Sequence, residues 1–184
     1  MISKEIPTDL KEKTWEYCQE NSMGNRGKFD GSPEQQYTGL LGENMLRISL
    51  GLLPSWKKGF DGGHDLVINR VKIDVKTMGR NVDPRPEYVN NFVGYQKDLD
   101  TDMFVFCSIN KTTNTFWICG MISKYDFLET ASFFPKGSIR IRSDKTEFRT
   151  QSPLYEIRNE YLVEVNEPIN IWAYTYEYAD FLVR

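Results

Sequence analysis

His64-Asp65-Leu66-Val67-Ile68-Asn69-Arg70-Val71-Lys72-Ile73-Asp74-Val75-Lys76 is the stretch on which the fold is decided. Apolar and polar residues alternate on both sides of Asn69-Arg70, which reads as a β-hairpin with those two residues as its loop. A two-residue loop pairs Ile68 with Val71, Val67 with Lys72, Leu66 with Ile73 and Asp65 with Asp74. One face then carries His64, Leu66, Ile68, Val71, Ile73 and Val75 and belongs to a core; the other carries Asp65, Val67, Lys72, Asp74 and Lys76. Like charges directly opposite each other on paired strands are destabilising. Two facing aspartates therefore ask for a reason. A hard divalent cation supplies one, because Mg²⁺ or Mn²⁺ is held by one or two carboxylates together with water and substrate phosphate. Lys76, two residues beyond Asp74 on the same face, would set its ammonium beside that site.

Upstream, Ser32-Pro33-Glu34-Gln35 has an N-cap serine, proline at the first helical position and glutamine at the third, so a helix starts there and runs to Leu50, ending at Gly51. Its apolar residues cover much of the circumference, and Glu43, Asn44 and Arg47 are the polar exceptions. Thr8 caps an earlier amphipathic helix to Asn21, followed by a glycine-rich connection to Gly31. Downstream, 78–86 is a polar loop and Glu87 to Asp98 reads as helical. Met103 to Ile109 and Thr115 to Met121 are strands about the turn Lys111 to Asn114, and Ser123 caps a short helix to Thr130. Strands are expected at 139–142, 161–165 and 169–176. The whole is one domain over 1–184, with a core at about 34–130 and a C-terminal elaboration over 131–184: an α/β or α+β domain with a central mixed β-sheet flanked by helices.

Composition narrows the chemistry. The chain has 184 residues, 40% of them hydrophobic, with 23 Lys+Arg, 26 Asp+Glu and a single histidine. No run of about 18 apolar residues is present and the start lacks the pattern of a signal peptide, so a soluble, intracellular protein is expected. Cys18, Cys107 and Cys119 are odd in number and lack Cys-x-x-Cys spacing, which excludes a zinc or disulfide framework and reads as reduced, mostly core, cysteine. One histidine leaves carboxylates and lysines for catalysis. Charge is uneven along the chain: Lys57, Lys58, Arg70, Lys72, Lys76, Arg80 and Arg85 outnumber Asp61, Asp65, Asp74 and Asp83 between Trp56 and Arg85. Lys136, Arg140, Arg142, Lys145 and Arg149 make a second basic stretch, and acids gather beyond Glu156. A basic face with an acidic back follows if sequence order carries into space.

These residues resemble the PD-(D/E)XK, or restriction-endonuclease-like, nuclease superfamily. Asp65 matches the first aspartate of its hairpin, Asp74-Val75-Lys76 the (D/E)-x-K tripeptide, and Glu43 the glutamate of the preceding helix. The resemblance spans roughly Glu34 to Met121. His64 stands where the proline that names the motif would be, and Gln96 is not followed by the tyrosine of the RecB-like branch. The resemblance implies a restriction-endonuclease-like fold and hydrolysis of DNA phosphodiester bonds by a Mg²⁺ (or Mn²⁺) dependent endonuclease. Asp65, Asp74 and Glu43 would hold the metal and Lys76 would position the nucleophile, with Lys57, Lys58, Arg70, Lys72, Arg80 and Arg85 on phosphates. DNA is the expected partner, homodimer formation is left open and no membrane is involved. By analogy alone, the compact design suits a phage-encoded enzyme working in the host cytoplasm.

The plain readings stand beside these. Glu43 and Arg47 have the order of a helical ion pair, His64 reads as a satisfied core histidine, Asp61 replaces Asp65 if the register slips, and the aromatic residues are mostly core. The rival functions are a nucleic-acid-binding or interaction module that kept the fold, and an exonuclease or junction resolvase of the same superfamily.

Overall fold

The computed structural model describes residues 1–21, 31–56, 62–141 and 145–182. In chain order these form β1 (Ile2–Glu5), α1 (Thr8–Glu20), α2 (Pro33–Ser49), β2 (Leu66–Ile68), β3 (Val71–Arg80), β4 (Val89–Val93), a 3-10 turn (Gly94–Asp98), β5 (Met103–Asn110) and β6 (Thr115–Ser123). There follow α3 (Lys124–Thr130), β7 (Ser132–Phe134), β8 (Ile139–Ile141), β9 (Glu147–Arg149), β10 (Leu154–Arg158), a 3-10 turn (Asn159–Tyr161) and α4 (Ile169–Leu182). The chain is a mixed α+β structure. Its central sheet has the order β1-β6-β5-β3-β2, in which β3 and β5 are parallel and every other pair is antiparallel. β4, β10 and β7 make a second sheet, and β8 and β9 a two-stranded ribbon. No helix among the described residues is long and apolar enough to cross a membrane.

The two faces of the central sheet have separate cores. Val71, Ile73 and Val75 of β3 and Val105, Cys107 and Ile109 of β5 pack with Leu41, Met45 and Leu46 of α2 and Ile171 of α4. On the opposite face Phe104 and Phe106 pack with Phe92 of β4, Phe127 of α3 and Ile157 of β10. Phe92, Phe104 and Phe127 lie within 4.9–5.1 Å of one another, ring centre to ring centre, in edge-to-face contacts. β5 is buried along its whole length because both cores press on it. On β6 the alternation is reset. The register with β5 shifts between Phe106 and Cys107, so Cys119 is an extra residue opposite that step. The bulge lets Phe116, Ile118 and Met121 face one core while Cys119 and Ile122 face the other.

Local signals account for the clearest elements. The Ser32 hydroxyl accepts from the Gln35 N–H, and the Ser32 N–H donates to Gln35 Oε1 at 2.9 Å, a reciprocal capping box. α2 stops at Leu50, followed by Gly51 at φ +76°. Ser123 caps α3 by accepting from Asp126 N–H. Four expectations need correction. The segment expected to be helical from Glu87 contains strand β4, drawn out of helix by its pairing with β10, and only Gly94–Asp98 turns. Ile169 to Tyr176 lies in helix α4 instead of a strand: Asn170 Oδ1 accepts from the N–H groups of Asn166 and Glu167 and starts the helix. The segment 161–165 gives one bridge, Met121 with Val163. The N-cap of α1 is Pro7 and not Thr8, which is itself helical, and no side chain caps that end; β1, β7, β9 and β10 match no expected strand.

Candidate active site

The hairpin forms in the expected register: Leu66 with Ile73, Val67 with Lys72, Ile68 with Val71. Asn69 and Arg70 both take positive φ, 50° and 69°, the geometry of a two-residue turn that matches strand twist. Asn69 Nδ2 donates to the Trp172 carbonyl and to Thr175 Oγ1, each at 3.1 Å, so α4 holds the turn from outside. β3 extends to Arg80, three residues past the expected end, because β5 pairs with it through Asn110.

Asp74 and Lys76 lie in register with Phe104 and Phe106 of β5 and therefore point to the phenylalanine core. Lys76 Nζ is 2.7 Å from Asp74 Oδ2, with side chains 20% and 7% exposed, and it stands 5.7 Å from the centre of the Phe92 ring. Charges this far from water are costly unless paired, and removing one partner leaves the other uncompensated. The sequence places this pair on β3, next to the fully buried central strand β5 and beside an aromatic wall.

Asp65 differs from expectation. It precedes β2, its N–H donates to the Ile73 carbonyl at 2.9 Å, and its Oδ2 accepts from the Val75 N–H at 2.7 Å. The carboxylate is thus turned into the hydrogen-bonding plane of the sheet, where a strand carbonyl would otherwise receive that amide. It does not simply stand opposite Asp74 on the face of the hairpin.

Glu43 sits on α2. α2 packs on the face of β3 that carries Val71, Ile73 and Val75, so closely that a Cβ on Gly42 would lie 2.0 Å from Thr77 Oγ1. The Glu43 carboxylate has Arg47 at 3.9 Å, the helical pair its spacing allowed. Among the described residues no group of three or more His, Cys, Asp or Glu side chains is placed to hold a metal ion. Asp74 alone still fits a magnesium site of the kind that relies on one or two carboxylates, with water and phosphate completing the shell.

The other candidates divide. Lys57, Lys58 and the alternative ligand Asp61 lie outside the described residues. Lys72 is paired with Asp100 at 2.7 Å, which holds the Asp100 carboxyl below and the Lys72 ammonium above their ordinary values through that hydrogen bond. His64 Nδ1 is 3.0 Å from the Asp100 carbonyl, so the histidine has a partner, but it is only partly buried and is not the core residue expected from its face of the hairpin. Arg70 is exposed at the turn. Arg80 is half-buried, donates to Ser108 Oγ and the Val89 carbonyl, and lies 5.1 Å from the Tyr88 ring, with Arg85 5.9 Å from the same ring. Burial depresses the Arg80 pKa. Tyr88 and Phe92 were missed as neighbours of the site. Parity along β3 is the signal that joins Arg80 to Asp74 and Lys76, and it becomes usable only once the strand is known to reach Arg80.

Compared with protein-family models, curated proteins and solved structures, the chain has no match in any of the three.

Proposed function

We propose that the protein is a metal-dependent endonuclease acting on DNA. The observation that carries this reading is the Asp74–Lys76 pair on β3, its carboxylate buried and its ammonium partly so, joined on the same strand face by Arg80. Asp74 would hold the metal. A bound Mg²⁺ or Mn²⁺ ion supplies Lewis-acid polarisation of phosphate and a more acidic water. The chain's own contribution is position and charge. Lys76 offers an ammonium at a fixed place next to Asp74, suited to neutralising charge that develops on a phosphate oxygen. Arg80 and Arg85, gathered about Tyr88, offer phosphate donors and a ring face further along.

The test is incubation of the pure protein with supercoiled, linear, single-stranded and four-way-junction DNA in Mg²⁺ or Mn²⁺, alongside Asp74→Ala and Lys76→Ala. Cleavage of covalently closed circles is expected, with each variant reduced by about a hundredfold or more while still folded. Cutting only from ends would make it an exonuclease. DNA binding without cleavage would make it a binding module, with Asp74 and Lys76 a structural ion pair.

A further inference from the structure

We infer that Asp65 is a positioning residue that fixes the backbone of β3 between Asp74 and Lys76, and that its hydrogen-bond acceptor, not its negative charge, is what the site requires. β2 begins at Leu66, so beyond the Leu66–Ile73 pair β3 has lost its antiparallel neighbour in the ladder. The Val75 N–H is the next amide on that side. It donates to Asp65 Oδ2 at 2.7 Å, in the plane of the sheet. The Asp65 N–H meanwhile goes to the Ile73 carbonyl. Asp65 thus clamps β3 at two successive points of its edge.

The consequence lies in which amide is held. Val75 N belongs to the peptide unit that also contains the Asp74 carbonyl, and Val75 itself separates Asp74 from Lys76. Fixing that peptide plane fixes the directions in which both side chains leave the strand. An amide oxygen placed at the same point would accept the same N–H; a methyl group would not. The resemblance to the nuclease superfamily instead makes Asp65 a metal ligand, a role in which loss of the charge alone weakens metal binding.

The activity arm of this inference rests on the nuclease reading; the backbone arm does not. Asp65→Asn and Asp65→Ala are compared with the original chain by amide hydrogen exchange at Val75 and by DNA cleavage with increasing Mn²⁺. Val75 protection should be kept in Asp65→Asn and fall about tenfold or more in Asp65→Ala. In cleavage, Asp65→Asn should keep kcat within about threefold and leave the half-saturating Mn²⁺ concentration unchanged. Asp65→Ala should lose kcat by about tenfold or more with KM little altered. An Asp65→Asn enzyme as inactive as Asp65→Ala, or one needing far more Mn²⁺, overturns the inference. So does full Val75 protection in Asp65→Ala. If Asp65→Ala does not fold, Asp65→Asn alone decides by the same two measurements. Failure of the original chain to cut any DNA would defeat the nuclease reading and leave Val75 exchange to decide the role of Asp65.

Discussion

Arg70 occupies the left-handed region at φ 69°, where an ordinary side chain crowds its own backbone at a cost of roughly 1–2 kcal/mol. Asn69 tolerates the same region better and is further held by its two bonds to α4. Arg70→Gly should therefore raise stability by about 0.5–1 kcal/mol, an amount offset in part by the greater freedom of glycine in the unfolded chain. A urea unfolding curve with unchanged slope and a higher midpoint is the expected result; a lower midpoint would mean that the arginine side chain makes a compensating contact. At this scale the sequence was informative about turn and register, because alternation on either side of Asn69-Arg70 leaves one pairing that keeps the apolar set together. It was not informative about Asp65, whose carboxylate takes a strand carbonyl's place, since nothing in residue spacing shows where β2 stops.

Helix α2 and strand β3 meet through Gly42. An added methyl group there would fall 2.0 Å from Thr77 Oγ1 and 2.7 Å from Thr77 Cβ, so even removal of the hydroxyl would not make room. Gly42→Ala should destabilise by about 1–3 kcal/mol through forced separation of the two elements, despite alanine being the better helix former. A melting curve checks this, and an unchanged or raised Tm would show that α2 can shift without loss. The helix itself was legible from Ser32-Pro33-Glu34-Gln35 and Gly51, which are local end signals. α4 was not, because Ile169, Ile171, Trp172, Tyr174 and Tyr176 are residues that favour strands. What decides in favour of helix is the Asn170 side chain on the preceding amides and the burial of Ile171 and Thr175, four apart on one face. Glu43 was legible as a helical acid. Which face of β3 its helix covers was not, because that depends on how α2 packs.

Over the whole molecule, part of the charge that is segregated along the chain is paired in space. Acids of the C-terminal third are used internally: Glu156 pairs with Arg140, Glu160 with Arg158 at 3.1 Å, and Glu164 with the N-terminal ammonium at 3.5 Å. The expected acidic back is to that extent neutralised from within, and so is part of the second basic stretch. Lys72 and Asp100 tie β3 to the loop before β5 in the same manner. The carboxyl of Asp100 is depressed by its bond to Lys72, so its contribution is present above an ordinary carboxylate pKa of about 3.9 and fades as pH falls through the lower folded value. The ammonium of Lys72 is raised, so its contribution is present below about 10.4 and fades as pH rises through the folded value. The stability difference between the original chain and Asp100→Asn should therefore be level near neutrality and shrink at both acid and alkaline ends. Unfolding curves across that range test it; a difference that persists at strongly acid pH would show that the charge pair is not its source.

The bonds from Asn69 to Trp172 and Thr175 join points more than a hundred residues apart. A ribosome delivers the hairpin long before it delivers the helix that grips the hairpin's turn, so these two bonds can form only late in synthesis. Until α4 emerges, that turn must stand on its own twist and on the apolar pairing of β2 with β3.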